Sequence, residues 1–558
     1  MTKLLSKEDL LDGLLKHNYF PSQHDHKEEL PPIFNTNKLD ATIAASLSKI
    51  DPSKERKKSG YDAMPYARSR HPNVPRIMNV PHPVPYSRLC LAIANYWEEK
   101  LRERCMSNHS ILAFEKQDDG RIVVQTYDHT DDDGERETRN PLVKFGRAYR
   151  VETDIASFFP SVYSHSIPWA LVGHSEAKKK RDKKNLWYNK LDAYVRSCQR
   201  NETKGIATGP ATSTVIAELL LCRIDEKLSE RGFQFERYID DYTCFAESRD
   251  KADSFLTCLS EELHSFGLLL NFNKTSVIEL PALDNADWVN EIKLTLRSVD
   301  RSKLGANKKN GADNNGRHGE ALELRDLKII IDQALSITLK TKNPFPLKYT
   351  FSALLKCDFS EHEVSQYFEK AMIEYAYHYP VLIPMINRAL MLEESSYSMR
   401  RLQERMAKLL EKAVKLGISD IIVWCLYFNI KVNNVIDADI AAEIFKKNDP
   451  FCSAMLYAYS KRSGKGRKSF AEWAKKMLRD FTKGELVLYD LDRMWIVFYQ
   501  LFFDGVAKEA IGQHPDAEVF ELMKKHEVSF VDHAHEDLNT WFDNIFKDVI
   551  TLPDPVKI

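Results

Sequence analysis

The chain has 558 residues and carries 80 Lys and Arg against 81 Asp and Glu, so its formal net charge is −1. A balance this close to neutral excludes a globally basic nucleic-acid-binding protein, so any basic surface has to be local. The nine cysteines are scattered and form no CxxC pair, which argues against a disulfide framework and a structural zinc site.

The chain shows no sign of a membrane or secretory segment. Its first residues lack the apolar core of a signal peptide. The longest apolar run, Ile421 to Phe428, has 8 residues, whereas a membrane-spanning helix needs roughly 20. We therefore expect a cytoplasmic protein with no membrane partner.

The N-terminal part combines helices with a basic, proline-rich segment. Ser6 is placed to cap a helix, and residues 51–87 are irregular. The pattern predicts a helix over 86–105 and a strand over 121–127, followed by a polar loop over 128–137.

The middle of the chain alternates strands and helices. The predicted elements are, in chain order, a strand over 148–155, helices over 185–198 and 212–231, a hairpin over 233–245, a helix over 251–266 and a strand over 268–272. Gly267 is placed to end the last of these helices. This order of elements is that of a polymerase palm.

The second half is different in character. Residues 302–318 are polar and rich in Lys, Asn and Gly, which is typical of a loop or linker. From about residue 321 onward nearly every segment has helical periodicity, without a strict repeat. Antiparallel helix pairs in a solenoid or bundle fit this pattern.

Two acidic motifs carry the chemistry. Asp154 is predicted at the end of a strand, and Tyr238-Ile239-Asp240-Asp241 at a hairpin turn. Two-metal phosphoryl transfer needs hard oxygen ligands that hold two Mg²⁺ ions roughly 3.5–4 Å apart. A Tyr-x-Asp-Asp string alone is weak evidence, because hairpin turns favour adjacent aspartates. Residues 205–213, which open a helix, and the later Lys274 supply two further elements in the order of a palm.

Four segments resemble motifs A, B, C and D of reverse transcriptases, namely Asp154–Phe159, Thr208–Ser213, Tyr238–Asp241 and Gly267–Thr275. The segment Ser164–Trp169 and the Thr-Gly form of motif B are similar to those of the bacterial abortive-infection reverse transcriptases of the AbiK and Abi prophage type. The resemblance of motifs covers roughly residues 140–280.

This resemblance implies an α+β right-hand polymerase fold followed by an all-α HEAT-like helical-repeat domain. Residues 1–290 are expected to form the fingers-palm domain, with fingers over about 1–145 and palm over about 146–290. Residues 291–320 are the expected linker, and residues 321–558 the HEAT-like domain.

The resemblance also implies roles at the metal site. Asp154 and Asp240 are expected to bridge both Mg²⁺ ions, for which Mn²⁺ could substitute, with Asp241 as a supporting ligand. Ile155 is assigned to the same metal site. Lys274 is a candidate to neutralise or protonate the departing pyrophosphate, since positioned cations carry much of the catalysis in phosphoryl transfer.

The substrate-binding residues implied by the resemblance are Phe159, Gly209, Ile155 and Tyr238. Phe159 lies where reverse transcriptases place a steric gate, so its ring should collide with a ribose 2′-hydroxyl and favour deoxynucleotides. The alternative is a core ring, which is the interpretation preferred for Phe158. A glycine at position 209 lets the backbone approach a nucleotide.

The run from Lys178 to Lys184, with Trp187 and Tyr188 nearby, fits either a phosphate track with stacking rings or a solvated charged face. His165 and Trp169 are interpreted as packing residues. Neither receives a chemical role at this stage.

The function that the resemblance implies is DNA synthesis from dNTPs without a template, in abortive-infection antiphage defence. The primer is then a hydroxyl of the protein itself, so the DNA product is covalently attached, and the enzyme is a homo-oligomer. Four N-terminal tyrosines are candidate primers, each with a structural role as the simpler interpretation: Tyr19, Tyr61, Tyr66 and Tyr86.

Two alternatives stay open. One is an RNA-templated reverse transcriptase that works with a non-coding RNA. The other is a catalytically silent palm that serves as an interaction scaffold, although mutually repelling carboxylates without a metal are hard to explain in a silent fold.

Overall fold

The computed structural model describes residues 5–21, 29–70, 74–124, 144–283, 287–298, 322–355, 357, 362–389, 399–464 and 466–531. The predicted loop over 128–137 and the polar stretch over 302–318 lie outside these residues. The chain divides into two compact units. Unit 1 comprises Met1–Tyr66, Ile77–Ala282 and Asn448–Val531, and unit 2 comprises Ala67–Arg76, Leu283–Lys447 and Asp532–Ile558.

Eight strands are present in the described residues: β1 (Met64–Arg68), β2 (Arg76–Val80), β3 (Ala113–Phe114), β4 (Val123–Val124), β5 (Tyr149–Asp154), β6 (Phe235–Tyr238), β7 (Asp241–Ala246) and β8 (Ser276–Glu279). Strands β1 and β2 pair with each other, and so do β3 and β4. The other four strands form one antiparallel sheet in the order β6-β7-β5-β8.

The helices of the first two segments of unit 1 are Lys7–Asp12, Ala41–Lys49, Lys54–Ser59, Pro83–Tyr96, Phe158–Ser161, Ser166–Val172, His174–Lys179, Trp187–Ser197, Ala211–Glu230 and Arg249–Ser265. Short π and 3₁₀ turns occur at Gly13–His17, Trp97–Leu101, Glu103–Cys105 and Phe272–Lys274. The helix Ala211–Glu230, called the long helix below, is 20 residues long and buried along most of its length.

One helix closes the back of the four-stranded sheet. Arg249–Ser265 packs against β5 and β7 with a buried stripe that includes Phe255 and Leu259. The Ser248 side chain caps its start by accepting a hydrogen bond from the backbone N–H of Lys251 at 3.2 Å. Gly267, with φ +76°, follows its end as the sequence predicts.

The strand predicted over 268–272 is wrong in its position. Leu270 makes only an isolated bridge to Ile155, and the chain then turns through the 3₁₀ segment Phe272–Lys274 before it pairs with β5 as β8. The apolar run at Leu268–Leu270 resembles a strand because it is partly buried, but the paired edge of the sheet is formed by the next residues along the chain.

The compact units do not follow the predicted domain boundaries. Residues 448–531 belong to unit 1, where Phe451 packs against the rings of Phe34 and Tyr66 at 5.4 and 4.9 Å. Arg56 donates to Asp492 at 2.6 Å and to Asp516 at 2.8 Å, all with buried side chains. The helical periodicity of this segment is correctly predicted, but periodicity carries no information on which part of the chain the helices pack against.

The helices of this third segment of unit 1 are Pro450–Ser463, Arg467–Thr482, Leu488–Asp492, Trp495–Phe503, Lys508–Ile511 and Ala517–Lys525. Those of unit 2 are Asp287–Ser298, Leu324–Thr341, Phe345–Leu354, His362–His378, Ile386–Ala389, Met399–Leu416, Ser419–Lys431 and Ala438–Lys446, with a 3₁₀ segment at Pro380–Met385. Across the described ranges, no helix combines the length and the apolarity that crossing a bilayer requires.

Glu369 is a buried carboxyl group in unit 2. It lies on the helix His362–His378 and is 4% exposed. Burial raises its pKa from 4.5 to about 7, although the charge of Arg405 acts in the opposite direction. Because the unfolded chain ionises at lower pH than the folded one, unit 2 loses stability as the pH rises from 4.5 to about 7.

We predict that Glu369→Gln stabilises the protein at pH 8 by up to about 3 kcal/mol, because an amide carries no charge to bury. The gain should shrink toward pH 5 in thermal unfolding of the full chain. Glu374→Gln is the matched control, since Glu374 is exposed on the same helix. A pH-independent gain, or an equal gain in the control, would contradict the burial argument.

Candidate active site

The sheet brings two of the predicted aspartates face to face. Asp154 ends β5 and is 6% exposed, and its Cα partner on β7 is Asp241. Directly opposed residues of antiparallel strands project to the same face with Cβ atoms about 4.5–5.5 Å apart. The backbone continues this pairing, because the Ile155 N–H donates to the Asp240 carbonyl at 3.2 Å.

The turn between β6 and β7 places the third aspartate differently. Tyr238 pairs with Asp241, so Ile239 and Asp240 form a two-residue turn. Asp240 therefore lies on the turn itself, directly before Asp241 in the chain. Ile239 has φ +51°, which is a strained conformation for a β-branched residue.

Lys274 lies beside the pair of aspartates and carries the opposite charge. Its ammonium group makes an ion pair and hydrogen bond with Oδ2 of Asp154. Backbone bonds hold the segment before it, since Asn271 N–H donates to the Asp154 carbonyl at 2.7 Å and Ala156 N–H donates to the Leu269 carbonyl at 2.8 Å. The lysine predicted from the sequence therefore lies at the acidic pair.

The electrostatics of the pair show its cost. The pKa of Asp241 is raised because nearby protein replaces part of the water around its carboxyl group and because Asp154 faces it, while Lys274 acts in the opposite direction. The pKa of Asp241 is raised even though its side chain is exposed to solvent. Two facing carboxylates of this kind are stabilised by a cation between them.

The oxygen ligands are of the type that a divalent metal ion prefers, but only part of the expected number is seen together. Asp154 and Asp241 supply hard carboxylate oxygens, which Mg²⁺ prefers. In the part of the chain that the structure describes, no group of three or more His, Cys, Asp or Glu side chains could hold a metal ion. The convergence of all three aspartates on Mg²⁺ stays a prediction, with Asp240 on the turn between β6 and β7.

The motif B loop opens the long helix. Thr208 is 5% exposed, and its carbonyl accepts a hydrogen bond from the Asn79 N–H of β2 at 2.7 Å. Gly209 has φ +128°, and a Cβ there would lie 3.3 Å from the side chains of Met78 and Pro21. Backbone conformation and close packing thus account for this glycine, and contact with a nucleotide stays a prediction.

The two remaining substrate residues differ in exposure. Phe159 is 9% exposed and contacts Phe158, which is 2% exposed, with ring centroids 5.3 Å apart. Tyr238 is half-buried at the end of β6. Phe159 is therefore largely buried, and its role as a steric gate stays a prediction.

The four tyrosines considered as primers are all core residues. Their exposures are 0–2%, in the set Tyr19, Tyr61, Tyr66 and Tyr86. Three of the hydroxyls donate to backbone carbonyls, of Pro81, Glu29 and Leu14 respectively for Tyr19, Tyr66 and Tyr86. The structural interpretation accounts for each of them.

Sequence reasoning missed Arg237, whose side chain links the β6–β7 hairpin to the long helix. Its guanidinium is completely buried and donates to Glu218 at 2.8 Å and to Asp225 at 2.8 Å, both on the long helix. Nη1 also donates to the carbonyl of the strained Ile239 at 3.0 Å. The hydroxyl of Tyr242 donates to Asp225 at 3.2 Å. One arginine thereby ties the turn that carries Asp240 to the helix that follows motif B.

A signal for this cluster is present in the sequence. Glu218 and Asp225 are seven residues apart, which places them on one face of a helix. Two acids on the buried face of an apolar helix require a cationic partner. Arg237, at an inward position of the strand before the Asp-Asp turn, is that partner.

We predict that Arg237→Met destabilises the protein by about 3–5 kcal/mol, because it leaves two buried carboxylates without a counter-charge. The free energy of unfolding in urea measures the loss. Arg231→Met is the control, since Arg231 is exposed and pairs with Glu261 and Glu262 at the surface, where such a pair contributes about 1 kcal/mol or less. Similar losses in the two variants would contradict the role assigned to Arg237.

Comparison with known proteins agrees with this geometry. Residues 143–303 match the family described as "Reverse transcriptase (RNA-dependent DNA polymerase)". The region contains the aspartates, the lysine and the cluster around Arg237. The chain therefore contains a reverse transcriptase domain that covers less than a third of its length.

A curated relative matches part of the same region. The chain is 28% identical over 142 residues to "Retron Ec86 reverse transcriptase" of Escherichia coli, which is 25% of this chain and 41% of the relative. The chain thus matches about two fifths of the length of that protein.

Among solved structures, apo telomerase of Candida tropicalis truncated from its C-terminal domain aligns with a TM-score of 0.25 at 12% identity, over 44% of this chain and 55% of that one. Telomerase of Candida albicans with a fragment of telomeric RNA aligns with a TM-score of 0.28 at 13% identity, over 69% and 68%. Scores of this size establish no common fold.

Proposed function

We propose that this protein is a nucleotidyltransferase that synthesises DNA from dNTPs. The observation that carries the proposal is the facing pair Asp154 and Asp241, with Lys274 on Asp154, inside a region that matches reverse transcriptases. The pKa of Asp241 is raised by loss of surrounding water and by the facing Asp154, and perturbed carboxyl groups of this kind cluster at functional sites.

The proposed cofactor is Mg²⁺, with Mn²⁺ as a possible substitute. Asp154 and Asp240 would hold it, with Asp241 as a supporting ligand and Ile155 at the same site. When bound, the metal ions supply charge stabilisation for phosphoryl transfer. In the chain itself, Lys274 is placed to counter negative charge beside Asp154, which suits an incoming triphosphate.

The finer proposal is synthesis without a template, primed by a hydroxyl of the protein, by a homo-oligomer in antiphage defence. The resemblance of the segment Ser164–Trp169 and of the Thr-Gly form of motif B to the abortive-infection enzymes supports it. So does Thr208, which stands where template-copying enzymes usually carry glutamine. The four buried tyrosines are poor primers, so a half-buried or exposed hydroxyl is the better candidate.

A second candidate is RNA-templated DNA synthesis with a non-coding RNA. The observation that favours it is the similarity to a retron reverse transcriptase over 142 residues. The two candidates share the aspartates and differ only in the source of sequence and primer.

We predict that purified protein incubated with Mg²⁺ and dNTPs, without template or primer, gains mass in steps of one nucleotide in intact-protein mass spectrometry. Asp154→Asn should show no gain, because it removes a carboxylate of the facing pair. Addition of a defined RNA template distinguishes the two candidates, since sequencing of the product shows whether the template was copied.

Free product of copied sequence would overturn the protein-primed proposal and keep the polymerase. No synthesis with or without template, and with Asp154 intact, would overturn both and favour the interaction scaffold.

We predict that Phe159→Ala lowers the ratio of kcat/KM for dNTP over rNTP by about tenfold or more, because a lost ring no longer excludes a 2′-hydroxyl. Phe158→Ala is the control, since it removes a neighbouring buried ring at a similar cost in stability, about 3–5 kcal/mol. An unchanged ratio in Phe159→Ala, or an equal fall in the control, would remove the gate assignment.

A further inference from the structure

Unit 1 contains a second concave site, which we call the basic pocket. It is a cavity of about 670 Å³ lined by residues of the helices Ser166–Val172, His174–Lys179 and Trp187–Ser197 and of the chain around them. No aspartate or lysine of the predicted catalytic set lines it. Its volume falls within the range of roughly 300–1,000 Å³ typical of ligand sites.

The lining is strongly cationic. Five basic side chains contribute to it, namely Lys57, Lys178, Arg181, Lys184 and Arg196. Its carboxylate, Asp192, is already neutralised, because it accepts from His165 Nδ1 at 2.8 Å and from Arg196 at 3.3 Å. Burial would raise the pKa of Asp192, but these two partners outweigh it and hold the pKa below its usual value.

Of the other four cations of the pocket, Lys57 pairs with Asp51 at 2.8 Å, and the remaining three are not neutralised in this way in the part of the chain that the structure describes. Within the described ranges, Lys178 and Lys184 form no ion pair, and Arg181 has only the adjacent Asp182 at 3.8 Å, with both side chains largely exposed. A lining of this kind attracts a ligand with several negative charges.

Aromatic rings form part of the same lining. Trp169 lies 5.6 Å from Tyr163 and 4.7 Å from His174, and Tyr163 meets His165 edge-on at 5.1 Å. These rings are tilted by 58–88° relative to one another, so no two of them are stacked face to face. Aromatic faces beside cations are the means by which proteins bind single-stranded nucleic acid, with bases on the rings and phosphates at the cations.

A charged run is more often a solvated face than a binding site. In this run, however, some of the cations line the pocket and others do not. Lys178, Arg181 and Lys184, spaced three residues apart, line the pocket. Lys179 and Lys183 of the same run are exposed and do not line it. The chain therefore offers an internal comparison between cations of equal charge and different position.

We propose that the basic pocket binds a single-stranded segment of nucleic acid, with a base against Trp169 and backbone phosphates at Arg181 and Lys184. The pocket is joined to the active site through backbone pairing. Tyr163 bridges Lys204, and the next residue, Gly205, donates its N–H to the Val162 carbonyl at 2.7 Å. Ile206 N–H then donates to the Phe159 carbonyl at 2.9 Å. The proposal rests on the proposed function only in taking this strand to be template or product.

Binding of fluorescein-labelled dT20 and rU20 to the full chain, followed by fluorescence anisotropy without dNTPs, tests the pocket. We expect Arg181→Ala with Lys184→Ala to weaken binding about tenfold and to lower the salt dependence of the affinity by one to two ion equivalents. The matched control, Lys179→Ala with Lys183→Ala, removes the same charge and should change the affinity by less than about threefold.

Trp169→Ala should weaken binding about tenfold without a change in salt dependence, since stacking is not ionic. Trp169→Phe keeps a ring and should restore most of the affinity, which separates stacking from misfolding. Asp154→Asn should bind like the wild type, so a failure of catalysis does not affect the readout. Equal weakening by both charge pairs, or unchanged binding in Trp169→Ala, overturns the proposal, and a preference for dT20 or rU20 identifies the strand.

Discussion

The hairpin of β6 and β7, which carries Asp240 and Asp241, depends on one completely buried guanidinium. Arg237 donates hydrogen bonds to two carboxylates of the long helix and also to the carbonyl of Ile239. The φ of Ile239 is unfavourable for a β-branched residue. A buried charge cluster is a weak contributor to net stability, but it is intolerant of any change in the position of its members. The turn with Asp240 and the helix behind motif B are therefore fixed relative to each other. A two-residue turn with a strained first residue has no reason to persist without such a partner.

The same hairpin brings negative charges together at its front. Asp241 faces Asp154 across β5 and β7, and its pKa is raised by the loss of surrounding water and by the charge of Asp154. Lys274, which forms an ion pair with Asp154, acts in the opposite direction. On one side of the hairpin the hydrogen-bonded Arg237 fixes the backbone. On the other side the facing Asp154 and Asp241 favour the binding of cations. This division is what a phosphoryl-transfer site needs, because most of its catalysis comes from pre-positioned charge.

Much of this could be predicted from sequence, for identifiable reasons. Period-two and helical patterns located β5, the hairpin and the long helix, and Gly267 marked a helix end, because these features depend on neighbouring residues. The errors involve pairing over long distances. The strand after Gly267 begins only at Ser276, because its pairing with β5 depends on register. Arg237 was overlooked because its partners, 12 and 19 residues away, meet it only in the folded chain.

The division of the chain into units also depends on contacts between distant residues, which sequence patterns do not reveal. The helices of residues 448–531 have the periodicity of the helices before them, yet they complete unit 1, where Arg56 binds Asp492 and Asp516 in the interior. Burial raises the pKa of both aspartates, and Arg56 opposes this, so neither acid is stable in the core without the arginine. Since Arg56 precedes β1 and the two acids lie more than 400 residues later, this unit can be completed only after most of the chain is present. The reverse transcriptase region therefore acquires part of its support from the end of the described chain, and its stability is not a property of the matched residues alone.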